Sequence, residues 1–272
     1  MDDARFDALV RGLGKAATRR GVLAIAAGAL GLHGAGVGAR RRRRGAAQRR
    51  DGAVAPQALT SIEVGCPEHP PESLAVLSAF YPGYWWDHTA LTVAVQAHPN
   101  ADADLIAAAR EAIQIWNDVL ADDPDLRRIG LTLTDVTDTV RPAHKADIVL
   151  HYVPRAGGTV FGGYAICGAH KCNNVIVRSD LPKPLDREQY TPAYLGWVTL
   201  HELGHALGLG HAEPLEENTD LMGYGWPDLG DPVLSECDLR TLKAVFAWAI
   251  ERREPAPPTV DSVSCSGLCG VA

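Results

Sequence analysis

The chain has 272 residues, of which 46% are hydrophobic, and this is enough for one large domain or two small ones with an apolar core. The formal net charge of −7 is unevenly distributed: residues 1–50 carry 12 Lys/Arg against 3 Asp/Glu, whereas residues 51–272 carry 14 against 30. Since an acidic body lacks the clustered cations that neutralise phosphates, the composition argues against a nucleic-acid-binding protein.

The N-terminal segment has the layout of an export signal. Arg19 and Arg20 precede a weakly apolar, Ala/Gly-rich run over residues 22–37, which ends in small residues through Ala39. A basic region, an apolar region and a small-residue end make a signal peptide, and the paired arginines resemble a bacterial twin-arginine signal. We therefore expect residues 1–39 to direct export to the extracellular space or cell envelope, with a membrane anchor or a disordered basic arm as alternatives. The run is too short and too glycine-rich for a convincing spanning helix, so no stable membrane span is expected after processing.

Two further segments lack the periodicity of a folded domain. Residues 40–82 are interpreted as a basic linker or pro-segment, and the block Arg40–Arg44 as a solvated part of it, because like charges repel. A processing site or a tether to an anionic surface are the alternatives for this block. The Pro/Ser/Gly-rich residues 254–272 are interpreted as an irregular, cysteine-containing tail. A single folded domain is expected over residues 83–253.

An even number of cysteines, six, lies outside the leader. In an exported protein this number indicates a disulfide framework, for which fifteen connectivities are possible. The short spacings suggest two local bridges and leave one long one: Cys167–Cys172, Cys265–Cys269 and Cys66–Cys237.

The patterning of residues 83–253 predicts an α+β domain with helices packed on one mixed, twisted sheet of about five strands. The predicted strands cover residues 91–95, 129–136, 146–153, 159–166 and 173–179. Three helices are predicted. The first is capped by Asp102 or Asp104, the second starts at Thr191-Pro192, and the third starts at Ser235, where a capping box is expected.

The second helix runs into the stretch HELGHALGLGH, residues 201–211. His201 and His205 are four residues apart, so both imidazoles project from one helix face and can reach one zinc ion at about 2.0–2.1 Å. Glu202 is placed to touch a metal-bound water. Gly208 can adopt the positive φ that ends a helix and turns the chain back, which would make His211 a third ligand. A fourth position open to water is typical of catalytic zinc sites.

These residues resemble the signature of the metzincin zinc peptidases, and the wider layout over residues 83–250 resembles the matrixin branch. Met222, eleven residues after His211, looks like the methionine turn that lies beneath the metal without binding it. The resemblance implies a helix ending at a glycine turn, then the methionine turn and a C-terminal helix. Tyr224 resembles the tyrosine of astacin-type members that stabilises the transition state, with a purely structural tyrosine as the alternative.

The chain also departs from the matrixin pattern. Ala212 follows the third histidine in place of Ser or Thr, and the family's structural zinc and calcium loops have no clear counterpart. The acidic residues after His211 are interpreted as a solvated loop, with Ca²⁺ binding as the alternative: Glu213, Glu216, Glu217 and Asp220. Cys66 is expected in a disulfide; an inhibitory role at the open zinc position, as in matrixin zymogens, is its alternative.

Two other histidines have simpler interpretations. His151 alternates on a strand and is expected in the core or at its rim rather than on a metal. His170 lies between Cys167 and Cys172, where a disulfide-closed loop is preferred to a small zinc knuckle.

The resemblance implies a secreted, monomeric zinc endopeptidase that acts on proteins or peptides. Glu202 would take a proton from the zinc-bound water and return it to the leaving amine. The strand over residues 159–166 is the expected sheet edge for an extended substrate, and Gly162-Gly163 would permit close backbone approach. A catalytically silent binding module of the same fold and a zinc hydrolase for short peptides are the alternatives.

Overall fold

A computed structural model describes ten segments of the chain, all within the unit Ala53–Ala272. They are residues 62–65, 73–76, 85–97, 103–153, 163–166, 173–178, 192–213, 220–223, 233–260 and 262–265. Several predicted features lie outside these residues: the export signal, Arg40–Arg44, Cys66, Gly162, Cys167, His170, Cys172, Tyr224 and Cys269. Among the described helices, none has the length and apolar character needed to cross a membrane.

The described elements alternate between strands and helices. The strands are β1 (Glu63–Gly65), β2 (Ser73–Val76), β3 (Ala90–Ala97), β4 (Thr132–Asp135), β5 (Ile148–Val153), β6 (Gly163–Ile166), β7 (Asn174–Arg178), β8 (Leu209–Glu213), β9 (Val233–Ser235) and β10 (Ser262–Ser264). The helices are α1 (Ala103–Asp122), α2 (Pro124–Arg128), α3 (Pro192–Leu207), α4 (Glu236–Val245) and α5 (Ala247–Ile250), with a 3₁₀ turn at Ala143–Lys145.

A five-stranded mixed sheet is the centre of the fold, which confirms the α+β class. Its order is β4–β3–β5–β7–β6, with β6 antiparallel to β7 and the other pairs parallel. α1 and α3 pack against each other, α1 also contacts β4, and α3 contacts β6 and β7. The alternating apolar side chains from which these strands were predicted are buried in β3 and β5. Examples are Leu91, Val93, Ile148 and Leu150.

The three predicted helices are confirmed as α1, α3 and α4. α4 has the predicted capping box: Ser235 Oγ accepts from the backbone of Asp238, and the Asp238 carboxylate accepts from the backbone of Ser235. The strand expected from residue 129 starts only at Thr132, because Ile129 caps the C-terminus of α2 and Gly130 follows it with a positive φ of 67°.

Five short strands, β1, β2, β8, β9 and β10, were not predicted from the sequence. β1 pairs in parallel with β9, and β2 lies between β10 and β8 in a second small sheet. β1 and β2 fall in the segment interpreted as a linker, and β10 falls in the tail interpreted as irregular. Runs of three to five residues are too short to show a clear period of two, so their pairing partners and not the local pattern determine them.

The disulfide prediction was wrong for two of its three bridges. Cys237, in the first turn of α4, is bonded to Cys265, just after β10, with a Cα–Cα distance of 5.4 Å. The pairings Cys265–Cys269 and Cys66–Cys237 are thereby excluded. Spacing along the chain favoured the nearest cysteine, whereas the antiparallel pairing of β10 with β2 carries Cys265 to α4.

Candidate metal centre

Helix α3 carries the first part of the site and is held by two tryptophans from other elements. Trp116 of α1 donates from Nε1 to the carbonyl of Leu200 (3.0 Å), and Trp86 donates from Nε1 to the carbonyl of Ala206 (2.8 Å). Both indoles are buried. Because they fix backbone carbonyls on either side of His201 and His205, the axial position of α3 is set by the core.

Gly208 ends α3 and turns the chain into β8. Its φ is 111°, and its N–H donates to the carbonyl of His205 at 3.0 Å. A Cβ at this position would lie 2.8 Å from Val245 Cγ1, so a side chain is excluded by packing as well as by conformation. The turn brings His211 back beside α3, as the sequence predicted.

The structure brings three histidines together. His201, His205 and His211 can each offer one ring nitrogen, and these three nitrogens lie within 4.8 Å of one another. The three side chains are therefore close enough to bind one metal ion. The Nε2 atoms of His205 and His211 are 3.1 Å apart. Two nitrogens that each bind zinc at about 2.0–2.1 Å with tetrahedral angles are separated by roughly 3.3 Å, so this spacing suits a shared ion.

Backbone carbonyls orient two of these rings. His201 Nδ1 donates to the carbonyl of Leu221 at 2.6 Å, and His205 Nδ1 donates to the carbonyl of Leu209 at 2.8 Å. A carbonyl can only accept, so the proton of each ring lies on Nδ1 and the lone pair on Nε2. Partners of this kind fix the tautomer and orientation of metal-binding histidines.

The histidines are held in the neutral form that metal binding requires. Burial lowers the pKa of His201 to about 3, and the nearby His205 lowers it further. Burial also lowers the pKa of His205 to about 4 and lowers that of His211 well below the usual value. All three rings therefore offer lone pairs at neutral pH without first losing a proton.

Glu202 is buried next to this cluster. Its Oε2 accepts no hydrogen bond from any residue within the described segments, and burial raises its pKa to about 8. A Cβ on Gly163 of β6 would lie 2.8 Å from Glu202 Cγ and 2.9 Å from Val198 Cγ1. The glycine was expected to admit a substrate backbone, and the structure gives it a second role, which is to leave room for the Glu202 side chain.

Met222 lies in a turn beneath α3 and is fully buried. Its carbonyl accepts from the backbone of Ala212 at 2.9 Å, which links the turn to β8. A Cβ on Gly204 would lie 2.6 Å from Met222 Sδ. Gly204 was missed from the sequence, although a glycine inside a helix costs about 1 kcal/mol relative to alanine and so signals a packing constraint.

Gly204→Ala tests this contact. We expect a fall in the free energy of unfolding of about 1–2 kcal/mol, since an overpacking cost of about 1–3 kcal/mol exceeds the gain of up to about 1 kcal/mol from the helix preference of alanine. Urea denaturation followed by circular dichroism measures the change. Gly65→Ala is the control, because a Cβ there meets nothing closer than 3.6 Å. Equal stability of the two variants would contradict the contact.

Two other sequence interpretations can be compared with the structure. His151 is buried on β5 beside Asn174, 3.1 Å from Nε2 to Oδ1, which confirms a core or rim histidine. Asp220 was assigned to a solvated acidic loop, and this is wrong because its side chain is fully buried. Tyr224 falls outside the described residues, so its proposed role stays a prediction.

Comparisons with known proteins assign no family to the chain. No family model matches it, and no curated protein matches it. Among solved structures, a "chaperone-substrate complex" is 15% identical with a TM-score of 0.34, covering 62% of this chain and 36% of that one. The "GM1 bound form of the ECX AB5 holotoxin" is 17% identical with a TM-score of 0.35, covering 72% of this chain and 91% of that one. This chain spans about a third of the first of these proteins, and at such TM-scores neither likeness establishes a shared fold.

Proposed function

We propose that this protein is a zinc-dependent endopeptidase, in which Glu202 acts as general base on the water that attacks a peptide bond. The observation that carries the proposal is the buried Glu202 carboxylate next to three neutral histidines with converging nitrogens. A buried carboxylate oxygen such as Glu202 Oε2, which accepts no hydrogen bond from the described residues, is costly to maintain, and a site for proton transfer explains it.

The donor set suits zinc. His201, His205 and His211 would hold the ion, and imidazole nitrogen is a preferred zinc ligand. Three protein ligands are typical of catalytic sites, which keep a position for water. When bound, zinc supplies Lewis-acid polarisation of a carbonyl and lowers the pKa of water towards about 7.

Glu202 is suited to move a proton between water and the leaving amine. Its burial-raised pKa of about 8 falls when a dication occupies the neighbouring histidines, because an opposite charge favours the carboxylate. A general base is most effective when its pKa lies near the working pH.

The position of β6 supports a polypeptide substrate. β6 is at one edge of the five-stranded sheet, and a Cβ on its Gly163 would lie 2.8 Å from Glu202 Cγ. An extended peptide that pairs with this edge would run past the general base. The motif over residues 201–211 and the buried Met222 support placing the protein with the metzincins, nearest the matrixins. Its proposed secretion rests separately on the twin-arginine-like segment at residues 1–39.

Metal stoichiometry is the first test of the proposal. The full chain is expected to bind one equivalent of Zn²⁺ in equilibrium dialysis and to lose that equivalent in His211→Ala. His144→Ala is the matched control, since His144 is exposed and lies outside the cluster. The native chain is also expected to cleave casein in a way that phenanthroline abolishes.

The outcomes separate the candidate functions. Cleavage that resists the chelator would overturn the mechanism. One equivalent of zinc without cleavage of casein or of a broad peptide library would instead favour the binding module of the same fold.

A further inference from the structure

Two buried carboxyl groups, those of Asp220 and Asp238, meet below the metal centre. Asp220 precedes Met222 in the turn, and Asp238 lies in the first turn of α4. Their exposed fractions are 0% and 1%, and the two side chains are hydrogen-bonding neighbours. Burying two carboxylates side by side is unfavourable, so this pairing needs a physical explanation.

Asp220 organises the turn that reaches His201. Its Oδ1 accepts from the backbone N–H of Met222 at 2.7 Å, and its carbonyl accepts from Gly223 at 2.9 Å. The N–H of Leu221 donates to Val233 of β9 at 2.8 Å. These bonds leave the Leu221 carbonyl directed at His201 Nδ1, which it meets at 2.6 Å.

Asp238, in the first turn of α4, is the second carboxyl group of the pair. Its Oδ2 accepts from the backbone of Ser235 at 3.1 Å, whereas its Oδ1 is buried and accepts nothing from the described residues. Asp220 Oδ2 is likewise buried without a donor among the described residues, and a proton on Asp238 would satisfy both oxygens by joining them. Burial raises the pKa of Asp220 to about 6, and burial together with the charge of Asp220 raises the pKa of Asp238 well above its usual range.

We propose that Asp220, sharing one proton with Asp238, is the positioning residue for His201. Through the turn at residues 220–223 it holds the Leu221 carbonyl on Nδ1 and so keeps the Nε2 lone pair directed at the metal site. The consequence for metal affinity rests on the proposed function, whereas the consequence for the histidine tautomer does not.

The pair has a second structural consequence. Because Asp238 also caps α4, the same proton joins the C-terminal helix to the turn under the site. Asparagine at either position keeps an oxygen that accepts and adds an N–H that donates to the remaining carboxylate. A single asparagine can therefore replace the shared proton, and alanine cannot.

The test uses the full chain in the metal-free state, with ¹⁵N NMR of the histidine rings as the readout. The native chain is expected to show His201 with its proton on Nδ1. Asp220→Asn and Asp238→Asn should retain that spectrum, and Asp220→Ala should give a mixture of tautomers. Asp123→Ala, which removes the N-cap of α2 and the ion pair of Asp123 with Lys243 of α4 but leaves the carboxyl pair intact, should lower stability without changing the His201 signals.

Zinc affinity, measured by competition with a chelator, is the second readout. Asp220→Ala is expected to weaken binding about 10- to 100-fold, the usual cost of losing an outer partner of a metal-binding histidine. Asp220→Asn and Asp123→Ala should stay close to native.

The outcomes test the positioning role of Asp220 separately from the proposed peptidase function. A native His201 tautomer in Asp220→Ala would overturn the inference, and so would loss of that tautomer in either asparagine variant. The asparagine variants keep the test decisive if Asp220→Ala does not fold. If the native chain binds no zinc but Asp220→Ala shifts the tautomer, the positioning role stands and the proposed function fails.

Discussion

Replacing Glu202 with glutamine is expected to slow peptide hydrolysis by about 10²- to 10⁴-fold, the range that general acid–base catalysis contributes. Glutamine has the shape of glutamate and fits the space left by Gly163 and Val198. It cannot take a proton from water at neutral pH, so the chemical step loses its base. Zinc affinity should change little, because the carboxylate is not among the three clustered ligands.

The variant should also be at least as stable as the native chain when metal is absent. Burial raises the pKa of Glu202 to about 8, so the metal-free fold favours a neutral side chain and loses stability as pH rises from the unfolded-state value towards 8. A neutral amide removes that loss. Thermal unfolding of the two metal-free proteins at pH 8 measures the difference.

Rates on casein and on a quenched peptide, at matched zinc occupancy, give the effect on catalysis. Glu236→Gln is the control, because Glu236 is exposed in the first turn of α4 and should not influence the rate. A Glu202→Gln protein with native activity would show that another group is the base. Equal losses in both variants would indicate a general effect of charge on the fold.

The features of the site that the sequence predicted are those set by local geometry. The four-residue spacing of His201 and His205 places both rings on one helix face whatever the tertiary structure. Gly208 can reverse the chain because glycine alone adopts its φ at little cost. The capping box at Ser235 is likewise a property of four consecutive residues, and the structure contains it.

The missed features depend on neighbours distant in sequence. Gly204 needs to be glycine because Met222 lies against it, and Gly163 because Glu202 does. The charge of Asp220 indicated solvent, but the turn that reaches β9 places its side chain in the interior beside Asp238 of α4. Such constraints arise only when separate segments pack, so no local pattern carries them.

Removing the Cys237–Cys265 bridge is expected to lower the free energy of unfolding by about 3–4 kcal/mol. The cysteines are 28 residues apart. Closing a loop of that length removes conformational entropy from the unfolded chain and so raises its free energy by about this amount. The double variant Cys237→Ala/Cys265→Ala leaves no free thiol at either position. Urea denaturation of the double variant and the native chain measures the loss.

The effect should be concentrated in the small sheet that carries His211. β10 precedes Cys265 and pairs with β2, which in turn pairs with β8, where His211 lies. Without the bridge, the described part of the tail is held to α4 by weaker contacts, such as the hydrogen bond from Arg240 Nη1 to the carbonyl of Ser264 (3.1 Å). Amide hydrogen exchange should therefore speed up in β10 and β2 of the double variant before it does in β3 and β5.

Peptide mapping of the non-reduced protein decides whether the bridge is the right one. We expect a linked fragment that contains Cys237 and Cys265, and the same fragment in Cys269→Ala, because Cys269 takes no part in that bond. A Cys265–Cys269 fragment would restore the pairing that spacing alone suggested. In that case the loop would close over four residues, and the stability lost on its removal should be smaller, because shorter loops restrict the unfolded chain less.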